Sequence, residues 1–138
     1  MRTSTRLAWI LFLLLAAAIA TQPLRAATYA LGADVSGTFF DPAQDGHGMV
    51  VEHIVSNGEP ALLVTWFTYL DGQQHWLVGV GPVTGNSARV PLTITRGGDF
   101  PPRFVPASVI SEPWGELNLR FDNRNSGQAS WTTTYLGY

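Results

Sequence analysis

Apolar and polar residues alternate along most of this chain after residue 27, and no segment there shows a sustained helical repeat of apolar residues. In residues 115–122, Leu117, Leu119 and Phe121 share one face, and polar or charged residues occupy the other. A period of two is typical of a strand that buries one face. Gly, Pro, Asn and Asp interrupt the pattern at intervals of roughly 8–12 residues, as in small sandwiches and barrels. The predicted strands are 36–40, 47–55, 61–69, 74–83, 89–95, 115–122 and 127–134.

The dipeptide Asp71-Gly72 predicts a hairpin between the third and fourth of these strands. It lies between two apolar runs, and both residue types tolerate the positive φ of a two-residue turn. A two-residue loop here places Phe67 opposite Trp76, an aromatic cross-strand pair of the kind that stabilises sheets. The same register also pairs Tyr69 with Gln74 and Thr65 with Val78.

The next connection, residues 84–86, is compatible with either two or three loop residues. Three loop residues turn the bulkier side chains of the fourth strand toward the face that holds Leu92: Trp76, Val78 and Val80. Two loop residues turn the other set toward that face: Leu77, Gly79 and Gly81. We expect three, because this gathers the bulky residues on one side. A shift of one residue inverts every face assignment of the strand.

Residues 97–113 contain four prolines, which lack the donor that a central strand needs. We expect an ordered irregular loop here, with one short strand around Val109. Successive hairpins without an intervening helix then predict an all-β fold, an antiparallel meander of seven to eight strands. The meander is predicted to form a closed or partly open barrel, because closure removes vulnerable sheet edges.

The N-terminal residues have the three-part pattern of a secretory signal peptide. Arg2 and Arg6 precede a run of 14 residues without charge, 7–20, and a more polar stretch with Arg25 follows. The run is shorter than the roughly 20 residues of a membrane-spanning helix. We therefore predict a signal peptide at 1–27 and a single β domain at 28–138, located in the periplasm or outside a bacterial cell, with no stable membrane span once the signal is removed.

Charge and cysteine content exclude several function classes. The chain has no cysteine and no lysine, and residues 28–138 hold five arginines against ten acidic residues. Such an acidic domain does not bind nucleic acid through a basic patch. A domain of this size has a core large enough to fold without disulfides, and a thiol nucleophile is ruled out.

Histidines and carboxylates are the candidates for catalysis or metal binding. Three histidines occur, His47, His53 and His75, but their spacing matches no compact metal motif, so we predict no metal site and no cofactor. Asp41 and Asp45 precede Pro42 and Gly46, where Asp commonly forms turns. An alternative function is a hydrolase that uses His53 or His75 with Asp41 or Glu52, provided that these groups converge.

Aromatic residues are the best candidates for binding. Trp66 and Phe67 are adjacent, so in a strand they face opposite sides, and one of them needs a loop, a partner or a ligand to cover it. An aromatic side chain on a sheet with polar edges suits sugars and apolar small molecules. The predicted ligand-binding residues are Trp66, His75, Trp76, Tyr69, His53 and Phe100.

Several short blocks of this sequence resemble a group of small uncharacterised exported β domains of proteobacteria. The blocks are Gly37-Thr38-Phe39, Pro42, Gly46-His47-Gly48, Trp66-Phe67-Thr68-Tyr69, Asp71-Gly72, Trp76-Leu77, residues 95–100, and Trp114-Gly115 with Leu117 and Leu119. The resemblance covers nearly all of residues 28–138 and implies export and a β fold, but no activity and no site residues. Phe39 and His47 stand where tryptophans are expected in this group. The Gly-x-aromatic start is also weakly similar to lipocalins and avidins, which are ligand-holding barrels.

Together these observations predict a non-enzymatic β domain that binds a small molecule, a glycan or a protein partner. Two alternatives remain: the hydrolase described above, and a structural or assembly module of the cell envelope. A contiguous apolar patch without a concavity would favour the assembly module.

Overall fold

The computed structural model describes residues 28–135 and confirms an all-β fold. Seven antiparallel strands follow one another in the sheet in chain order, which is the topology of a meander. Their bounds are β1 Gly37–Phe39, β2 Gly48–Ser56, β3 Glu59–Leu70, β4 Gln73–Thr84, β5 Ser87–Gly97, β6 Val109–Asn123 and β7 Ser126–Thr133. The sheet curls into a half-barrel in which, among residues 28–135, β1 pairs only with β2 and β7 only with β6. The predicted barrel is therefore partly open.

Short turns join the central strands. Asp71 and Gly72 adopt φ of 50° and 71°, and Asn57 and Gly58 adopt φ of 54° and 85° at the preceding hairpin. Positive φ at both central residues is the geometry of the turn whose twist matches that of paired strands. The predicted pairing of Phe67 with Trp76 across the Asp71-Gly72 hairpin is confirmed.

The expected three-residue connection between β4 and β5 is wrong. Thr84 pairs with Ser87, which leaves only Gly85 and Asn86 in the loop, and Gly85 has a φ of 61°. Leu77 consequently pairs with Ile94 on the inner face of the sheet. The bulkier residues of β4 lie on the outer face, where they are exposed instead of contributing to the core: Trp76, Val78 and Val80.

Small residues of β4 on the inner face explain this outcome. A Cβ added to Gly79 or Gly81 would overlap the backbone of β5, at Pro91 and Arg89 respectively. Glycine at these positions lets β4 approach β5 more closely than any side chain would permit. The curl of the sheet thus depends on these two glycines. An assignment of faces from the bulk of the apolar side chains places them on the outer face, which is wrong.

The core fills the concave face of the half-barrel. Leu77, Val90 and Leu117 are completely buried there, and burial of such a side chain contributes about 1.5–3 kcal/mol. The short 3₁₀ turn Ala33–Val35 inserts Val35 into the same core. The other buried apolar residues are Val51, Ala61, Leu62, Val64, Trp66, Leu70, Ala88, Leu92, Ile94, Trp114, Leu119 and Phe121.

The proline-containing segment is partly a strand. Residues 98–108 form a loop with a short 3₁₀ turn, Pro106–Ser108, but β6 already begins at Val109 and pairs with Gly97. The strand continues through Pro113, where its register against β5 shifts at Leu92/Thr93. An irregularity of this kind accommodates a residue without an N–H donor.

The predicted signal peptide, residues 1–27, lies outside the described residues. Within the described part, no helix has the length and apolar character needed to cross a membrane.

Candidate functional site

A cleft of about 450 Å³ lies where the half-barrel fails to close. One wall is β1, the start of β2 and the turn between them, and the other is β7 with the end of β6. The cleft exists because β1 has only three residues and, in the part of the chain that the structure describes, pairs with β2 alone. Within that part, the eight-residue β7 therefore has no second neighbouring strand. Concave sites of this size commonly bind small ligands.

Two indoles form the floor of this cleft. Trp66 is almost buried, and its ring lies edge-on to that of Trp131, with the ring centroids 5.0 Å apart. Trp114 packs edge-on against Trp66 from another direction, at 5.7 Å between ring centroids. Trp131 keeps 48 % of its surface exposed. The cleft therefore offers an aromatic surface that is held in place by its neighbours and only half covered.

Apolar contacts continue along the cleft. Phe39 of β1 and Phe121 of β6 pack edge to face, with the ring centroids 5.4 Å apart. The two sides of the half-barrel are thus in contact here through side chains and not through a backbone ladder. Phe40 also lines the cleft and is largely exposed. Polar groups surround this apolar interior, among them Asp41, Gln44, His47, Arg120, Asn125, Ser126 and Gln128.

Asp41 organises the turn that forms the first wall. Its carboxylate accepts hydrogen bonds from the backbone N–H of Ala43, at 2.9 Å, and from the amide of Gln44, at 3.2 Å. The backbone carbonyl of Asp41 accepts a further bond from the Gln44 N–H. This is the local hydrogen bonding for which Asp is favoured in turns. Asp41 therefore holds Gln44 in position at the rim of the cleft.

His47 lies at the end of that turn. Its Nδ1 is 2.9 Å from the hydroxyl oxygen of Thr68, the buried polar residue of β3. The imidazole ring also packs edge-on against Tyr69, with the centroids 5.4 Å apart. These contacts fix the side of the cleft near β3. The buried hydroxyl of Thr68 therefore has a hydrogen-bonding partner in His47.

The predicted ligand-binding residues divide between two separate concavities. Trp66 lines the cleft, whereas Tyr69, His75 and Trp76 line a separate depression of about 320 Å³. In that depression the Trp76 indole N–H donates to the hydroxyl of Thr95, at 3.2 Å. Trp76 is 54 % exposed and lies beside Phe67 on the outer face.

His53 and Phe100 lie apart from both concavities. The backbone N–H of His53 donates to the hydroxyl of Ser36, which ties β2 to the segment before β1. Phe100 is 82 % exposed on the loop after β5. That loop is braced by Asp99, whose carboxylate accepts hydrogen bonds from the Arg103 guanidinium. The guanidinium lowers the pKa of Asp99 below its ordinary value.

The groups proposed for the hydrolase are divided among different parts of the structure. Asp41 lines the cleft, His75 lines the separate depression, and His53 lines neither. His53 pairs with Leu62 and Glu52 with Leu63, so these neighbours point to opposite faces of the sheet. Asp41 is engaged in its own turn. Among residues 28–135, no group of three or more His, Asp or Glu side chains is placed to hold a metal ion.

Trp131 is the site residue that the sequence reasoning missed. It pairs with Leu117, and Ala129 pairs with Leu119, so both lie on the inner face. Simple alternation across the turn between residues 115–122 and 127–134 would pair Leu117 with Thr132 and place Trp131 on the outer face. The register of β6 against β7 shifts between Phe121 and Asn123, and this irregularity turns Trp131 to the inner face.

Comparison with protein-family models, with curated protein sequences and with solved structures gives no match for this chain. The resemblance to small exported β domains therefore stays a prediction.

Proposed function

We propose that this protein is a non-enzymatic binding module and that its ligand occupies the cleft between the two open edges. The half-exposed indole of Trp131 above Trp66 carries this proposal. Amide and hydroxyl groups at the rim supply hydrogen bonds, and the aromatic floor supplies apolar contact. This combination suits a ligand with an apolar face and hydrogen-bonding edges, whether it is a small molecule, a glycan or a segment of another protein.

The contribution of Trp131 follows from its exposure. A tryptophan buries up to about 250 Å² when fully covered, so covering the open half removes about 100 Å² from water. At about 25 cal/mol per Å², this corresponds to about 2.5 kcal/mol, or between 10- and 100-fold in affinity. Loss of the indole should therefore reduce binding by roughly that factor.

Intrinsic tryptophan fluorescence tests the proposal. The purified protein is titrated with a panel of oligosaccharides, small aromatic compounds and uncharged peptides. We expect a saturable spectral shift with one class, and a substantial loss of affinity in Trp131→Ala. Trp76→Ala is the matched control, because Trp76 is similarly exposed but lies outside the cleft. A response that disappears in Trp76→Ala and persists in Trp131→Ala would place the ligand on the outer face and refute the cleft as the site.

An assembly module is the second candidate, and the outer face of β3 and β4 favours it. Phe67, Trp76, Val78 and Val80 are all exposed there. Their combined exposed surface is on the order of 300–400 Å², similar to the larger apolar patches of monomeric proteins, which are often functional. If this is the function, the ligand panel gives no saturable response, and substitution of Trp76 by serine abolishes binding of an apolar dye to the surface.

Export to the periplasm or beyond is part of the proposal and is supported by the pattern of residues 1–27. Cell fractionation with N-terminal sequencing of the recovered protein tests it. A protein that retains residues 1–27 in the cytoplasmic fraction would contradict export.

A further inference from the structure

The two edges of the half-barrel differ in how well they are protected against pairing with another chain. The β1 edge has three residues and is followed directly by the turn at 40–47, which contains Pro42. Short strands and prolines are common means of blocking an edge. By contrast, β7 extends over eight residues, Ser126–Thr133, and has neither a charged residue nor a proline. Within residues 28–135 it pairs with β6 alone.

Such an edge presents a row of backbone N–H and C=O groups at a regular spacing. Another extended backbone is the partner that satisfies this row completely, as in binding by strand addition. We infer that the cleft accommodates a single extended polypeptide segment of a partner protein, which adds to β7 as an eighth strand. This inference rests on the proposed binding function and names the class of ligand.

The side chains of β7 are compatible with such an insertion. Ala129 and Trp131 point into the cleft, because they pair with buried residues of β6. Ala129 leaves space next to the edge, and Trp131 supplies an apolar contact. At Gly127 the β7 backbone lies so close to β6 that a Cβ would overlap the backbone of Arg120. Of the alternate residues, Ser130 points to the other face and Gln128 lies at the rim of the cleft, and both are exposed. A partner strand in which apolar residues alternate with small polar residues is compatible with both faces of β7: its apolar residues face the cleft and its polar residues face solvent.

Charge also favours an uncharged partner segment. The edge strand carries no charge, whereas residues 28–138 as a whole have twice as many acidic residues as arginines. A charged side chain directed into the cleft would lose hydration above Trp66 and Trp131. The inserted residues that face the cleft are therefore apolar or small.

The sequence of β7 itself supplies a suitable probe. In an antiparallel pair of two such strands, an alanine lies opposite a tryptophan and a glycine opposite a threonine on the inner face. Serine faces serine on the outer face, and no position brings like charges together. A fluorescein-labelled, end-capped peptide Ser-Gly-Gln-Ala-Ser-Trp-Thr-Thr is titrated with the purified protein, and binding is followed by fluorescence anisotropy.

Two N-methylated versions of this peptide distinguish strand addition from apolar contact. One carries N-methyl groups on its glycine, alanine and tryptophan, and the other on its glutamine, second serine and first threonine. Alternate N–H groups of a strand point to opposite neighbours, so only one version blocks the hydrogen bonds to β7. We expect one version to bind about tenfold or more weakly than the parent peptide, because several hydrogen bonds are lost together, and the other to bind within about twofold. Equal affinities for the two versions would overturn the inference.

A matched pair of protein variants tests the location. Ala129→Lys places a charge in the cleft, whereas Ser130→Lys places the same charge on the opposite face of the same strand. Both positions are exposed, so neither variant removes a core contact. Peptide binding should be lost in Ala129→Lys and retained in Ser130→Lys.

The remaining outcomes separate this inference from the proposed function. If an oligosaccharide gives a Trp131-dependent fluorescence shift and the peptide does not bind, the cleft is a binding site but strand addition is refuted. If the protein forms dimers through β7, a second copy of this chain replaces the partner segment and the inference also fails. If nothing on the panel binds and the protein remains monomeric, both proposals fail.

Discussion

Leu77 and Val78 are adjacent in β4 and provide a direct test of which face of the sheet is the core. Leu77 is 0 % exposed on the inner face, and Val78 is 38 % exposed on the outer face. Truncation of a fully buried leucine to alanine costs about 2–5 kcal/mol, from lost burial and from the cavity that remains. Truncation of the partly exposed valine should cost less than about 1 kcal/mol, since it removes two methyl groups that are already partly hydrated.

Urea unfolding of Leu77→Ala and Val78→Ala measures this difference. The buried Trp66 and Trp114 become exposed on unfolding, so tryptophan fluorescence reports the transition. For a domain of this size, an m-value of about 1.5 kcal/mol per M converts a loss of 3 kcal/mol into a decrease of about 2 M in the midpoint. The midpoint of Val78→Ala should decrease by less than about 0.7 M.

The same pair of variants tests the connection between β4 and β5. A three-residue loop would bury Val78 and expose Leu77, and it therefore predicts the reverse order of midpoints. Equal midpoints, or a larger loss for Val78→Ala, would refute the assignment of Leu77 to the core. The m-value must stay unchanged in both variants, because a change would indicate that the unfolded or native state itself has altered.

Three further predictions concern the fold. Gly81→Ala should lower the free energy of unfolding by about 1–3 kcal/mol in urea titrations, because its Cβ overlaps the backbone of β5; an unchanged midpoint would contradict that close approach. Asn86→Ala should cost about 1–2 kcal/mol in the same assay, since the amide donates to the backbone carbonyl of Phe121 at 2.9 Å and so joins the β4–β5 turn to β6; a change below the error of the titration would mean that water replaces the bond. NMR titration should show that the pKa of Asp99 lies below 3.8 and rises in Arg103→Ala, which lacks the guanidinium that lowers it. Because the pKa is lowered in the folded protein, the ionised Asp99 stabilises its loop above pH 3.8, and this stabilisation is lost as the pH falls through the folded-state pKa.

The strands, their order in the sheet and the register of one hairpin could be predicted, because one-sided burial imposes a period of two on the sequence. Residues 115–122 and the Asp71-Gly72 hairpin are clear cases. The face of β4 could not be assigned in this way. Its inner face includes Gly79 and Gly81, whose role is to admit the backbone of β5, and glycine contributes nothing to a count of apolar groups.

The candidate site was only partly accessible from the sequence for a similar reason. Trp66 could be singled out because it neighbours Phe67, and two adjacent aromatics cannot both face the core of a single sheet. Its partner Trp131 is 65 residues further along the chain, and the two rings meet only because the sheet curls. The degree of curl depends on close approaches between strands, which hydrophobic periodicity does not record.

The open edge and the aromatic cleft have one structural cause. Closure of the barrel would require β1 to pair along β7, but β1 ends after three residues, at Phe39. The packing of Phe39 against Phe121 covers part of the interior without forming a backbone ladder. Trp131, which a closed barrel would bury, is left half exposed beside backbone groups of β7 that no other strand of residues 28–135 pairs with. An extended segment that enters the cleft would cover the indole and satisfy the edge in a single step, which is why we favour a strand over a compact ligand.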